Sequence, residues 1–131
     1  MIKTTLLHCY VTRFFSLNHI TPILKELHWL PLEQRIEYKV LLHTFKALHG
    51  LSPVYISSLI QPYIPRRSLR SENSNLLTVP KTKTVRFGDR SFRKSSAVLW
   101  NTLPISVKSS PSISSFKTNL KTHYFKLTFY P

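Results

Sequence analysis

Apolar residues between positions 32 and 49 recur on two arcs rather than one. At roughly 100° per residue, Leu32, Ile36, Val40 and Ala47 fall on one side and Tyr38, Leu41, Phe45 and Leu48 on another. Two polar lanes separate them, Glu33-Glu37-Thr44 and Arg35-Lys39-Lys46. A helix lying on a surface carries a single apolar stripe, so this segment is expected as a central helix packed from two sides. Pro31 marks its start, because proline's missing N–H is no loss in a first turn. Glu33 suits the positive end of the helix dipole. Gly50 marks the stop, since glycine adopts the left-handed cap conformation most cheaply.

The same reading places the other elements. Thr21 as a cap and Pro22 behind it predict a short helix over 21–29. Ser52 and Pro53 open another over 53–61, with Val54, Tyr55, Ile56, Leu59 and Ile60 as its apolar face and Pro62 as its end. Leu76 to Val79, stopped by Pro80, reads as a strand, and Thr84 to Phe87, closed by Gly88, as its partner across Lys81-Thr82-Lys83. Asp89 is expected to cap a helix from near Arg90. On it Phe92, Leu99 and Leu103 share a face with Trp100 at the edge, and Arg90, Arg93, Lys94 and Ala97 lie opposite. A last helix opens at Ser110-Pro111 or Ser112, with Ile113, Phe116, Leu120, Tyr124 and Leu127 in one stripe. The fold expected is mostly α: a small helical domain with a short β-hairpin near residues 76–87. It divides into a poorly patterned stretch 1–18, a helical core 19–62, a basic loop and hairpin 63–88, and C-terminal helices 89–131.

Charge changes this picture more than composition does. The 131 residues are 42% hydrophobic, enough for one modest core, but 19 Lys+Arg stand against 5 acids, a formal +14. That balance on one small domain predicts attraction to a polyanion, most simply RNA or DNA backbone rather than a membrane surface. The shortage of acids also excludes function classes. Two-metal nucleotidyl transfer needs converging carboxylates. Here there are only Glu26, Glu33, Glu37, Glu72 and Asp89. Glu33 and Glu37 share a helical face, but a solvated lane explains them. One cysteine, Cys9, allows no internal disulfide, and the six histidines form no four-ligand zinc pattern. Cys9 beside His8 is not the spatial pair that nucleophilic catalysis requires. No catalytic, metal or cofactor site is expected. Without a signal peptide or a run of about 20 apolar residues, an intracellular setting, nucleus or cytoplasm, is expected.

The densest basic stretch supplies the candidate binding residues. Between positions 66 and 94 lie Arg66, Arg67, Arg70, Lys81, Lys83, Arg86, Arg90, Arg93 and Lys94, against Glu72 and Asp89 alone. Guanidinium groups hold phosphate oxygens bidentately, and a loop of them follows a backbone without reading sequence. Phe87 and Phe92 are the aromatics placed to stack on bases, although a core would also use them.

Several phrases, in order, resemble a known family. They are His19-Ile-Thr-Pro-Ile-Leu-Lys-Glu-Leu-His-Trp-Leu-Pro-Leu, Phe45-Lys-Ala-Leu-His-Gly-Leu-Ser-Pro-Val-Tyr, Arg67-Ser-Leu-Arg-Ser, Leu76-Leu-Thr-Val-Pro, Gly88-Asp-Arg-Ser-Phe, Leu99-Trp-Asn-Thr-Leu-Pro and Phe116-Lys-Thr-Asn-Leu-Lys-Thr-His-Tyr-Phe. Over residues 19–126 the chain resembles the extreme C-terminal region of the reverse-transcriptase polyprotein of non-LTR, LINE-type retrotransposons, in the group that lacks a terminal zinc knuckle. The resemblance implies a segment downstream of the RNA-directed DNA polymerase, helping hold template RNA or target DNA. It carries over no catalytic residue, because the paired aspartates of such polymerases lie upstream and nothing here matches them. Residues 1–18 do not match the expected upstream pattern, which implies a truncated copy. Two alternatives stay open: a structural segment that docks on the upstream polymerase domain, and a decayed fragment with no function of its own.

Overall fold

The computed structural model describes residues 20–65, 75–84 and 87–130. Among them are six helices: α1 (Ile20–Glu26), α2 (Leu32–Leu48), α3 (Val54–Ser57), α4 (Phe92–Thr102), α5 (Ile105–Lys108) and α6 (Ile113–Phe129). The 1–18 segment lies outside the described residues.

α2 is the central helix. It packs on α4, α6 and α3. Phe45 stacks on Phe116 of α6 with centroids 4.2 Å apart. Two turns earlier on α2, Glu37 lies beside the Tyr124 phenol, two turns later on α6. The two helices therefore run antiparallel. Trp100 of α4 also stacks on Phe116, with centroids 6.0 Å apart. Phe45, Phe116, Trp100, Leu41 and Leu120 are almost wholly enclosed. Burying each such side chain contributes about 1.5–3 kcal/mol, so these five, where α2, α4 and α6 meet, anchor the core.

Only part of the two-sided pattern of α2 is used. Leu41, Leu42, Thr44, Phe45 and Ala47 are buried, while Leu32 and Ile36 are 71% and 58% exposed. α4 and α6 cover the C-terminal half of the helix and leave its first turns open. Thr44 belongs to the core and not to a polar lane. Its hydroxyl donates to the Val40 carbonyl at 2.9 Å, so the group is buried without an orphan donor. Ser96 is buried by the same device, donating to Arg93 O. On α4 the buried face is Ser96, Ala97 and Trp100, with Leu103 just beyond its end. Phe92 and Leu99 are half-buried. The expected face is thus turned, because Trp100 is the largest side chain and the small Ser96 and Ala97 let α4 come close.

The ends of α1 and α2 are closed by the same motif from different residues. After α2, Gly50 has φ +69°, with Gly50 N donating to Ala47 O and Leu51 N to Lys46 O. After α1, His28 takes φ +54°, with His28 N donating to Lys25 O and Trp29 N to Leu24 O. Both are Schellman closures. Only the first uses the residue that adopts this backbone without strain. At their starts, α1 begins at Ile20, so Thr21 lies inside its first turn instead of capping it, Pro22 is in that turn as expected, and the helix ends at Glu26, short of residue 29. Pro53 and Ser91 stand at the starts of α3 and α4, in place of the expected Ser52 and Asp89. α3 ends at Ser57, shorter than expected. Ser112 caps α6 as expected, accepting from Ser115 N.

The β-hairpin near residues 76–87 does not form among the described residues. Pro62 and Leu77 make an isolated antiparallel bridge instead. Tyr63 N donates to Leu76 O and Thr78 N to Gln61 O, each at 2.9 Å, which fills one edge of the extended segment. The Asn101 side chain fills the other, accepting from Leu77 N at 2.8 Å and donating to Leu77 O at 2.9 Å. No edge is left for a returning strand. The chain after Pro80 makes a local turn, in which Gly88 N donates to the Thr84 carbonyl and hydroxyl. Val85 and Arg86 lie outside the described residues.

Candidate nucleic-acid interface

Of the nine basic residues singled out above, Arg66, Arg67, Arg70 and Arg86 lie outside the described residues. Lys81, Lys83, Arg90 and Arg93 are exposed. They flank the turn between Pro80 and α4 and continue onto the first turn of that helix. Lys94 is placed differently. Its ammonium donates to Asp89 Oδ1 at 2.5 Å and to the Thr82 hydroxyl at 3.1 Å. Thr82 in turn donates to the same carboxylate oxygen. Lys94 and Thr82 hold the Asp89 carboxyl below the usual carboxylate range. Lys94 therefore fastens the turn to α4, with its charge already matched. This is the one ion pair among the described residues. Phe87 is 83% exposed, while Phe92 is half-buried against the core.

The remaining described acids do not converge. Glu26 and Glu33 are exposed. Burial, and after it the neighbouring Glu37, push the Tyr124 phenol well above its usual value. No group of three or more His, Cys, Asp or Glu among the described residues could hold a metal ion.

A second basic surface escapes sequence inspection. The corner between α1 and α2 lies against the last turns of α6, and two adjoining clefts open there. One, of about 310 Å³, is walled by Trp29, Arg35, Tyr38, Lys39 and Lys121 among others. The other, of about 570 Å³, is walled by Phe125, Lys126 and Tyr130 among others. His28 and Lys121 border both. The His28 ring stacks on Phe125 with centroids 5.4 Å apart and planes within 8°. Lys25 Nζ stands 4.1 Å from the centroid of the Tyr130 ring. The contributing residues are about ninety positions apart in the chain, so no local spacing announces them.

Several phrases that carry the resemblance turn out to be joints of the fold. Trp100 Nε1 donates to Asn75 O at 2.8 Å, and Asn101 closes on Leu77. Ser91 donates to Gly88 O at 2.6 Å. These contacts pin the 75–77 segment and the following turn to α4. Comparison with protein-family models, curated proteins and solved structures gave no match to this chain. No helix among the described residues is long and apolar enough to cross a membrane.

Proposed function

We propose that this chain is a non-catalytic nucleic-acid-binding segment that grips backbone phosphates, of the kind that follows the polymerase domain in LINE-type reverse transcriptases. The carrying observation is the one-sided charge: Lys81, Lys83, Arg90 and Arg93 stand exposed together, and the single acid among them, Asp89, is committed to Lys94 and Thr82. Exposed cations of this kind position a polyanion without reading its sequence. Arg66, Arg67, Arg70 and Arg86 belong to the same proposal through their place in the chain. Changing Lys81, Lys83, Arg90 and Arg93 to Gln together tests it. Binding to a labelled RNA or duplex DNA should weaken, and the slope of log affinity against log salt should flatten by roughly 0.7–0.9 per lost contact. An unchanged affinity and slope would exclude this surface.

A second reading has its own support. Leu32 and Ile36 on α2, and Val54 and Tyr55 on α3, are all more than half exposed. Apolar surface of this sort suits a segment that docks on a neighbouring domain, such as an upstream polymerase. Self-association of the isolated chain, abolished by changing Leu32 and Ile36 to Ser, would favour it.

A further inference from the structure

We infer that the paired clefts between the α1–α2 corner and the end of α6 seat single-stranded nucleic acid, with bases against Trp29 and Tyr130 and phosphates along Arg35, Lys39, Lys121 and Lys126. The inference rests on the proposed affinity for nucleic acid and adds the class of strand and a site separate from the basic stretch 66–94.

Three observations converge on it. The first is charge: four cations line the clefts and no Asp or Glu does. All four are exposed. The second is the aromatic surface. Trp29 is 46% and Tyr130 63% exposed. Exposed aromatic faces beside cations are the means by which proteins hold unpaired bases and their backbone together. A duplex keeps its bases stacked and offers these rings nothing, so the fit is to a single strand. The third is continuity. His28 and Lys121 border both clefts, so the two adjoin, and each volume lies in the range that accepts a small organic group such as a base.

The groove is also held in shape before any ligand arrives. His28 keeps a left-handed backbone that costs a non-glycine residue about 1 kcal/mol, with its ring fixed against Phe125. That backbone turns the chain so that Trp29 leaves α1 on the side of α6. Lys25 sits over the Tyr130 ring and fixes the far end.

The test uses the full chain and the fluorescence of its two tryptophans. Trp100 is enclosed and Trp29 is exposed, so a ligand that stacks in the groove quenches Trp29. The probes are oligouridylate and oligothymidylate of about twelve nucleotides, heparin as a polyanion without bases, and polyglutamate. Both oligonucleotides should quench, their relative affinity showing whether the groove prefers RNA or DNA, and heparin should bind without quenching. By anisotropy, Trp29→Leu should weaken the oligonucleotides by about tenfold and leave heparin unchanged. Trp29→Phe should restore most of that loss, which a merely misfolded variant would not allow. Lys121→Gln should weaken all three nucleic-acid-like polyanions. Oligonucleotide binding without quenching, and indifferent to Trp29→Leu, would overturn the groove while leaving phosphate binding in place. No binding of oligonucleotide or heparin would overturn both. Tighter binding of polyglutamate than of oligonucleotide would assign the groove to an acidic protein and overturn it.

Discussion

The side-chain amide of Asn101 occupies both backbone groups of Leu77, accepting from its N–H at 2.8 Å and donating to its C=O at 2.9 Å. One residue of α4 thus does for Leu77 what a neighbouring strand would do. Leu77 is buried, so its polar groups have no water to turn to. Asn101→Ala should destabilise the chain by about 2 kcal/mol, read as a fall in urea midpoint, because buried donors and acceptors left unpaired cost their full desolvation. Asn101→Asp should fall at least as far at neutral pH, since a carboxylate can accept from Leu77 N but repels Leu77 O.

The two glycines should respond for different reasons. Nothing lies within 4 Å of a Cβ built on Gly50, but its φ of +69° is left-handed. Gly50→Ala should cost about 1 kcal/mol through the backbone alone. A Cβ on Gly88 would stand 2.6 Å from the Thr84 carbonyl oxygen and 2.8 Å from Thr82 Cβ. Gly88→Ala must therefore move the backbone of the turn that carries Lys81, Lys83 and Arg90. It should reduce nucleic-acid affinity as well as stability, whereas Gly50→Ala should leave affinity unchanged in the folded population. Denaturation and anisotropy on the same preparations separate the two.

Lys108 is buried, with its ammonium 3.4 Å from Asn101 O, and burial lowers its pKa. The unfolded chain then holds this proton to higher pH than the folded one. The penalty is fully present at neutral pH and is relieved as pH rises from the lowered value toward the ordinary lysine range. Lys108→Met should raise stability at pH 7 by about 1 kcal/mol, read as a higher urea midpoint, because an apolar side chain of similar volume carries no desolvation cost there. It should also remove that alkaline gain from the profile of stability against pH.

Lys94 should behave unlike its basic neighbours. Its charge is matched by Asp89, so Lys94→Met should lower stability at pH 7 and leave the salt slope of nucleic-acid binding nearly unchanged. The depressed Asp89 pKa gives stability that is present above the ordinary carboxylate range and lost as pH falls through the lowered value. The variant should accordingly show a shallower acid loss. Urea midpoints between neutral and acid pH provide the check.

Much of the helical frame was legible in the sequence, because local rules govern it. Leu32 to Leu48 and Ile113 to Phe129 carry periods long enough to read, and Gly50 and Ser112 end or begin their helices through contacts within a few residues. The failures have a common cause in distant partners. Leu76 to Val79 has strand composition, but its edges are filled by Gln61, Tyr63 and Asn101, which no local pattern reveals. Leu127 belongs to the apolar stripe of α6 yet is 61% exposed. At that end α6 offers Phe125 to His28 instead, which leaves Leu127 outside. The basic stretch was visible as composition, but the commitment of Lys94 to Asp89 was not. The aromatic groove was invisible because it is assembled from the α1–α2 corner and the end of α6.

The central claim is that the chain holds nucleic-acid phosphates, and its most direct test is the salt dependence of binding by the unmodified chain. Fluorescence anisotropy with single-stranded RNA and with duplex DNA, from about 50 to 200 mM salt, measures it. Log affinity should fall steeply and linearly with log salt, equivalent to several released counterions, with the single strand held more tightly. A folded chain that fails to bind either ligand at the lowest salt would contradict it.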